Sequence, residues 1–418
     1  MDLPNCQRLM IRPPFQPRTA LKWLAQLTLL AIAVGCTSAF FLWALTAVTL
    51  VRFAHPGLLL LLPIAGLGVG VINQRYGKSA SRGNNLLMDE IHQPGAGVPR
   101  RMAPLILGGT LVTHLFGGSA GREGTALQIG GSIAATFARL FKLTPAPRRL
   151  LLMAGIAAGF GSIFGTPIAG AVFATEVLIV GRIQYDALIP CLISALLADW
   201  TCRAWGTEHT HYCLTTQTAI APLNLRLIAN ILLVASTCGL ASRLFTTLSH
   251  RFSHAFQTYI PRAELRPVVG GLIVIGLFFL SGSTDYLGLG VLGNRADAVT
   301  LPHLFTSTTV PASAWLWKLL FTVITLSAGF KGGEVTPLFF IGAALGNFMA
   351  LTFGAPLDLM AALGFVAIFA AATKTPLAST FLGIELFGLN HSLYLATACL
   401  IAYHCSGRGG IYPAQRLQ

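Results

Sequence analysis

Two glutamates in this sequence stand directly after runs of small residues and directly before apolar stretches. Glu123 lies in segment 117–125 (GGSAGREGT), and Glu334 lies in segment 331–337 (KGGEVTP). Glycines let backbone N–H groups converge, and a helix that begins there presents unpaired donors and the positive end of its dipole to an anion. A carboxylate in that place can occupy the anion site when ionised and leave it when protonated. This pattern indicates proton-coupled anion movement.

Simpler interpretations remain open for both glutamates. Glu123 can be a first-turn acid that only complements the helix dipole. Glu334 can pair with Lys331 and cap its helix. The neighbouring glycines and the presence of a second, similar site favour a functional role for both glutamates. A glutamate inside a membrane is also energetically costly, and such a residue is a functional candidate. Thr336 offers a hydroxyl to a small, strongly hydrated anion.

A third candidate segment is 83–90 (GNNLLMDE), which follows a basic stretch from Arg75 to Arg82. Asn84 or Asn85 is predicted to be the N-cap of a short helix and to donate to an anion, and Met88 is predicted to narrow the pore. A capped amphipathic helix at the membrane interface is the alternative.

The amino-acid composition indicates whether these segments lie in a membrane or in water. Of 418 residues, 54% are hydrophobic and 10% are charged, against about 25% charged in ordinary soluble domains. The mean hydropathy is +0.70. These values predict a polytopic membrane protein and exclude a water-soluble enzyme. The net charge of +14 is attributed to basic cytoplasmic loops rather than to binding of nucleic acid.

Apolar stretches of unequal length run through the chain. Residues 1–22 form a basic, cytoplasmic amino-terminal segment, and the uncharged run from Trp23 to Val51 is too long for a signal peptide and predicts an uncleaved membrane helix. Further stretches lie at 57–72, 102–116, 123–141, 150–180, 186–200, 224–245, 267–281, 313–330, 335–353, 359–372, 376–389 and 391–405. Several are shorter than the ~20 residues that cross a bilayer. Such broken helices are typical of a transport pathway.

The chain also resembles itself. Residues 121–125 and 129–130 match 333–337 and 341–342 at an offset of 212, and Thr166-Pro167 with Glu176 matches Thr375-Pro376 with Glu385 at an offset of 209. Two matches at nearly one offset indicate a duplication. We expect a first membrane repeat at 23–205, a connecting loop at 206–222, a second repeat at 223–418, no soluble regulatory domain, and a binding site where the repeats meet.

Other chemistry has little support in the sequence. Segment 208–213 (EHTHYC) offers two histidines and a cysteine to a metal, but a solvated external loop is the preferred interpretation. The eight cysteines are interpreted as packing residues, with a Cys202–Cys213 disulfide as the alternative. No HExxH, GxSxG or P-loop pattern occurs, so we expect no enzyme, no metal and no cofactor.

The three glycine-rich segments together resemble the CLC family of chloride channels and proton-coupled anion antiporters. The GREG element at 121–124, the Gly-x-x-x-Pro element at 333–337 and segment 83–88 occur in the order typical of that family. The resemblance implies an all-α polytopic membrane protein, namely a bundle of tilted and broken helices built as an inverted repeat. It also implies a homodimer with one pore per subunit and cytoplasmic termini. By the same resemblance Glu123 is the external gating glutamate, and the hydroxyl of Tyr412 faces the central anion.

Several residues differ from the pattern of the chloride-selective CLC proteins, and these differences indicate which branch of the family the chain resembles. Those relatives have a Ser-Gly-x-Pro turn in place of 84–88, a proline in place of Thr125 and a phenylalanine in place of Val335, and Val177 stands where exchangers carry a proton-transfer glutamate. Met88, Glu334 and Thr336 are similar to the fluoride-exporting branch. The resemblance therefore implies a fluoride/proton antiporter of a bacterial inner membrane, with fluoride, protons and lipid as its partners. A chloride/proton antiporter or a passive chloride channel is the alternative. The candidate site residues are Glu123 and Glu334 for proton coupling, and Asn84, Asn85, Met88, Gly121, Arg122, Gly124, Thr125, Val335, Thr336 and Tyr412 for anion binding.

Overall fold

The computed structural model describes residues 17–417, except for 94, 96, 211, 213 and 215–224. Over these residues the chain folds into fifteen α-helices, joined by short helical turns and loops, without any β-strand. The helices are α1 (Pro17–Ala54), α2 (Leu62–Ile72), α3 (Asn84–His92), α4 (Met102–Leu115), α5 (Glu123–Leu140), α6 (Pro145–Phe164), α7 (Pro167–Glu176), α8 (Leu188–Ala204), α9 (Leu225–Tyr259), α10 (Arg266–Ser281), α11 (Ala314–Ser327), α12 (Val335–Phe353), α13 (Leu357–Thr373), α14 (Pro376–Phe387) and α15 (Ser392–Cys405). The predicted all-α membrane fold is confirmed.

Helices of two length classes build the bundle. Six helical stretches in the described part of the chain are long and apolar enough to cross a membrane: Ala20–Ala54, Pro56–Arg82, Tyr185–Ala204, Leu225–Tyr259, Ala263–Ser281 and Val335–Phe353. Others, such as α7 and α14, have only 10 and 12 residues. The first predicted helix is present as α1, whereas α9 extends beyond the predicted 224–245. The bundle thus mixes full and partial crossings, as the lengths of the apolar stretches indicate.

The predicted stretch 150–180 is not one helix but two, because the chain turns at Gly165. Gly165 takes a left-handed conformation (φ +75°) after α6, and Pro167 then starts α7. The same break follows α13, where Lys374 is left-handed (φ +61°) and Pro376 starts α14. Proline cannot continue a helix but fits its first turn. The Thr-Pro pairs found in the sequence are therefore equivalent breaks in the two repeats.

The two short helices that follow these breaks bind each other reciprocally. The carboxylate of Glu176, at the end of α7, accepts hydrogen bonds from the amides of Leu377 (3.1 Å) and Ala378 (2.8 Å) at the start of α14. The carboxylate of Glu385, near the end of α14, accepts from Ile168 (3.0 Å) and Ala169 (2.7 Å) at the start of α7. Each carboxylate compensates the positive end of the other helix. The segments that the sequence matched to each other thus also bind each other reciprocally in space.

Glycines allow the central helices of each repeat to touch. A Cβ on Gly130 of α5 would lie 2.1 Å from the Gly155 carbonyl oxygen of α6, and one on Gly342 of α12 would lie 2.1 Å from that of Gly364 of α13. Between the repeats, aromatic rings fill the core, and the ring of Phe164 in the first repeat lies edge-on to that of Phe339 in the second, with centroids 5.1 Å apart. Tight packing of this kind holds the starts of α5 and α12 in fixed places.

Candidate anion site between the two repeats

The glycine-rich segments of the two repeats meet as a backbone pair. The amide of Gly121 donates to the carbonyl of Gly333 at 2.6 Å, and the amide of Gly333 donates to that of Gly121 at 2.8 Å. The space leaves no room for side chains, because a Cβ on Gly333 would lie 2.6 Å from the amide nitrogen of Gly124. The pairing brings the amino-terminal ends of α5 and α12 together. Sequence positions 212 residues apart therefore form one site.

Glu123 is the first residue of α5 and is fully buried. Its Oε2 accepts a hydrogen bond from the Thr336 amide at 3.0 Å and another, shorter one from the Thr336 hydroxyl. Its Oε1 lies 3.3 Å from Nε of Arg122. The sequence placed this carboxylate at the start of its own helix, whereas the structure aims it at the start of α12. It occupies the position that an anion would take at that helix terminus.

A cavity of about 210 Å³ lies beside this site, and we call it the Tyr412 cavity. Its polar lining includes Arg82, Asn84, Gln128, Lys331, Glu334 and Tyr412. Tyr412 is 3% exposed, and its hydroxyl has no hydrogen-bond partner in the described part of the chain. Glu334 is the residue that precedes the first turn of α12. Glu334, predicted for proton coupling, and Tyr412, predicted for anion binding, thus share one cavity.

Segment 83–88 begins the predicted short helix, now α3, but its N-cap and the place of Met88 differ from the prediction. The N-cap of α3 is Gly83 (φ +57°), so neither asparagine caps the helix. Glycine takes this position because its φ is left-handed. The Asn85 side-chain oxygen instead accepts from the Ala414 amide at 3.1 Å, while Asn84 Oδ1 is buried without a partner among the described residues. Met88 is 3% exposed, lies in the hydrophobic core, and is absent from the lining of the Tyr412 cavity.

Of the remaining candidates, only Arg122 contacts the Glu123 carboxylate, and the others surround it. Thr125 turns its hydroxyl to that of Thr110 at 2.9 Å, and Val335 is fully buried at the start of α12. Gly124 packs its backbone on Gly333. Arg122 donates from its Nε to Glu123 and from its Nη2 to the Thr210 hydroxyl (3.5 Å). These residues shape the site, and Thr336 alone of the candidates donates to Glu123 from the second repeat.

The structure bears on the alternative interpretations of Glu334, position 177, the histidine segment and Cys202. Glu334 makes no ion pair with Lys331, so the simple capping pair is wrong. Val177 is fully buried, and its neighbour Glu176 is held by α14. No cluster of metal-binding side chains occurs among the described residues, although His211 and Cys213 lie outside them. Cys202 is a free thiol that contacts Thr207.

Two residues of the Tyr412 cavity were missed by sequence reasoning. Gln128 lies one helical turn after Gly124, is 7% exposed, and has a buried side-chain oxygen without a partner in the described chain. Its signal in the sequence was a side-chain amide between the apolar residues Leu127 and Ile129. Lys331 was considered only as a partner for Glu334, yet its stem packs against Gly109 of α4. The sequence signal for Lys331 is a basic residue directly before a pair of glycines.

Comparison with known protein families relates this arrangement to one of them. A family model described as voltage gated chloride channel matches residues 65–407. The "Chloride/fluoride channel protein" of Pseudomonas syringae pv. tomato is 44% identical over 398 residues, covering 95% of this chain and 86% of the relative. The "Putative chloride channel protein ClcB-like" of Ralstonia nicotianae is 29% identical over 371 residues, covering 84% of each chain.

Solved structures with the same architecture exist. A crystal structure of a CLC-type fluoride/proton antiporter superposes with a TM-score of 0.90 at 33% identity and covers 97% of this chain and 100% of its own. A slow cyanobacterial Cl⁻/H⁺ antiporter superposes with a TM-score of 0.79 at 22% identity, covering 95% and 97%, and this likeness concerns the fold alone.

Proposed function

Since this chain belongs to the CLC family of chloride channels and transporters, we propose that it is a fluoride/proton antiporter that exports fluoride from the cytoplasm in exchange for protons. The observation that carries the proposal is the bond between Glu123 and Thr336. An ionised carboxylate held by the first turn of α12 is a tethered anion in an anion site. The choice of fluoride is supported by the relatives that carry fluoride in their names and by Glu334 and Thr336 in segment 331–337.

The proposed cycle exchanges the carboxylate for the halide. With Glu123 ionised, its Oε2 holds the amide and hydroxyl of Thr336. A proton arriving from the side opposite the amino terminus neutralises Glu123 and removes the charge that the helix terminus attracts. Fluoride then takes the donors that the carboxylate releases. When Glu123 loses its proton towards the cytoplasm, it competes with fluoride for these donors again. Protons therefore move inward while fluoride moves outward.

Glu334 is the proposed inner proton acceptor. It lies at the end of α12 that Glu123 contacts and also lines the Tyr412 cavity. A proton released from Glu123 can therefore reach the cytoplasmic side through Glu334 without a glutamate at position 177. Lys331 and Arg82 line the same cavity and would attract fluoride from the cytoplasm.

The donors of the site match the chemistry of fluoride. Fluoride is strongly hydrated, so a site must replace its water shell with several strong hydrogen-bond donors. Backbone amides at α12, the Thr336 hydroxyl and the Tyr412 hydroxyl are such donors, and Tyr412 has no other partner among the described residues. Export driven by entering protons also makes sense energetically, because neutral hydrogen fluoride crosses bilayers and releases fluoride in a more alkaline cytoplasm.

The test is ion efflux from proteoliposomes. Purified protein is reconstituted into liposomes loaded with sodium fluoride or sodium chloride, and both halide release and proton uptake are recorded. We expect fluoride release to drive protons inward against their gradient, with much slower chloride release. Coupled chloride release without fluoride release would support the chloride/proton antiporter instead, and halide release without proton movement would support a channel.

We also propose that the protein is a homodimer that associates through the face formed by α7, α8, α14 and α15. This face carries exposed apolar side chains, including Ile189, Trp200 and Leu393, each more than 60% exposed. It also carries Glu385, a partly exposed carboxylate at membrane depth, which is costly against lipid and better covered by protein. Mass photometry in detergent is expected to give twice the mass of one chain. A monomeric mass at all concentrations contradicts this proposal.

A further inference from the structure

A second polar cavity, of about 280 Å³, lies on the other side of Glu123, and we call it the Arg52 cavity. The last turns of α1 (Thr49 and Arg52), Arg122, segment 208–210 and segment 289–292 line it. Because α1 starts at the basic amino terminus and crosses once, this cavity opens on the side opposite that terminus. It is separate from the Tyr412 cavity, with which it shares no lining residue.

Arg52 has an environment that is unusual for a guanidinium. It is 7% exposed, its Nε is buried without a hydrogen-bond partner, and it makes no ion pair with any described carboxylate. Its neighbours are the ring of Phe53, 4.9 Å from its Cζ, and the backbone of Gly288. A buried charge without a partner is strongly unfavourable, and guanidinium carries five donors in a planar fork. The structure around Arg52 therefore holds a cation that lacks its anion.

Two further basic side chains lie near Arg52. Arg122, 9% exposed, lines the cavity and contacts Glu123 through its Nε, so the cavity reaches the gating carboxylate. Lys318 is fully buried and donates to the Gly288 carbonyl at 2.8 Å and to that of Tyr286 at 3.2 Å. Gly288 thus lies between Lys318 and Arg52. The hydrogen-bond acceptors of Lys318 are backbone carbonyls, and Lys318 does not line the cavity itself.

Arg122 is paired with Glu123 while that carboxylate stays in its present position, and no titratable group that lines the cavity neutralises Arg52. Glu208 lines its mouth, is exposed, and makes no ion pair with a described residue. His209 uses its Nε2 for the Ser162 carbonyl at 2.9 Å. The cavity is therefore lined by two buried guanidinium groups, with its single carboxylate at the solvent edge. Such a field concentrates small anions.

We propose that Arg52, together with Arg122, forms a second halide-binding site, through which fluoride leaves after Glu123 has released the first site. This inference rests on the proposed function for the identity of the ion, but its chemistry requires only a monovalent halide. Guanidinium is the suitable ligand, because it is weakly hydrated itself and donates several hydrogen bonds at once. The unpaired Nε of Arg52 is then satisfied by the anion or by water in its shell.

Bromide tests the site without reference to transport. Crystals of the full-length wild-type protein are soaked in sodium bromide, and anomalous scattering is measured. We expect a peak within about 4 Å of the Arg52 guanidinium, a contact distance for a halide. The peak should be absent in Arg52→Gln and present in Arg203→Gln. Arg203 is the matched control, because it is an exposed cation near the same cavity that already pairs with Asp199 at 2.8 Å and does not line the cavity.

Fluoride efflux gives the functional measurement. Arg52→Gln is expected to slow fluoride release three- to tenfold, Arg52→Lys to restore at least half of the wild-type rate, and Arg203→Gln to leave it unchanged. A wild-type map with bromide at α12 but none at Arg52 overturns the proposal, even if Arg52→Gln does not fold. Equal rates for wild type and folded Arg52→Gln also overturn it. Failure of the wild type to release fluoride would refute the proposed function and leave the bromide result to decide the site.

Discussion

The Glu123 carboxylate accepts a hydrogen bond of 3.0 Å from the Thr336 amide, although 213 residues separate the two in sequence. The acid comes from the first repeat and its donor from the second. A negative side chain of one half thus compensates the helix dipole of the other. Because the donors belong to α12 and not to α5, Glu123 can move away while the anion site stays intact. In the proposed mechanism, such a gate can open and close without rebuilding the anion site, and this permits exchange.

The Thr336 hydroxyl is the first group that this relationship singles out for mutation. Thr336→Val keeps the shape of the side chain and the backbone amide but removes the hydroxyl that binds Glu123. A hydrogen bond to a charged group contributes about 1.5–3 kcal/mol. We therefore expect fluoride affinity to fall ~10- to ~100-fold, measured by isothermal titration calorimetry. Thr336→Ser, which keeps the hydroxyl, should remain within about threefold of wild type, and equal losses in both variants would show that the hydroxyl is not a ligand.

The proposed role of Glu123 predicts how the rate of fluoride efflux depends on pH. Protonation removes its charge from the first turn of α12, so wild-type fluoride efflux should rise as the pH falls on the side opposite the amino terminus. Glu123→Gln imitates the protonated state permanently. Its efflux should be independent of pH and should carry no protons, as recorded with paired fluoride and pH electrodes. Proton uptake by Glu123→Gln at the wild-type ratio to fluoride would contradict the gating role.

The sequence was sufficient to predict which segments meet but not how they contact each other. Glycine-rich segments before apolar helices, repeated at one offset, predicted a site between two repeats, since those features depend on local backbone chemistry. The contact of Glu123 with Thr336 depends on how the repeats pack, which no local pattern encodes. Gly83, and not Asn84 or Asn85, is the N-cap of α3 because its φ is left-handed. The sequence does not reveal that conformation, since asparagine and glycine stand side by side there.

Glu334 and Glu176 are both acids that could accept a proton on the inner side of the site, but their environments differ, and we expect opposite effects of mutating them. Glu334 lines the Tyr412 cavity, whereas both oxygens of Glu176 are engaged by backbone amides of α14. Glu334→Gln is expected to slow coupled fluoride export at least tenfold. Glu176→Gln should preserve the ratio of protons to fluoride, measured per molecule of folded protein. The reverse pattern would assign the proton path to α7.

The backbone pair of Gly121 and Gly333 requires both residues to lack a side chain. A Cβ in Gly333→Ala would lie 2.6 Å from the Gly124 amide nitrogen, inside a region of backbone that cannot move alone. We expect a loss of about 1–3 kcal/mol in stability and loss of fluoride binding. Gly68→Ala is the control, because a Cβ there has nothing within 4 Å and an alanine in α2 should stabilise by about 0.5–1 kcal/mol. Thermal unfolding in detergent distinguishes the two, and similar midpoints for both variants would refute the steric argument.

The reciprocal bonds of Glu176 and Glu385 predict that equivalent mutations in the two repeats have equivalent costs. Each carboxylate accepts two amide hydrogen bonds at the first turn of the opposite helix. Gln retains one acceptor oxygen and loses the charge, so Glu176→Gln and Glu385→Gln should each cost about 1–3 kcal/mol. Because α7 and α14 contact each other, the double variant should deviate from the sum of the single ones, as expected for coupled neighbours. Unfolding midpoints of the four proteins test this, with Asp297→Asn as a control for charge loss at an exposed position. Additive costs would mean that the two helix ends are stabilised independently.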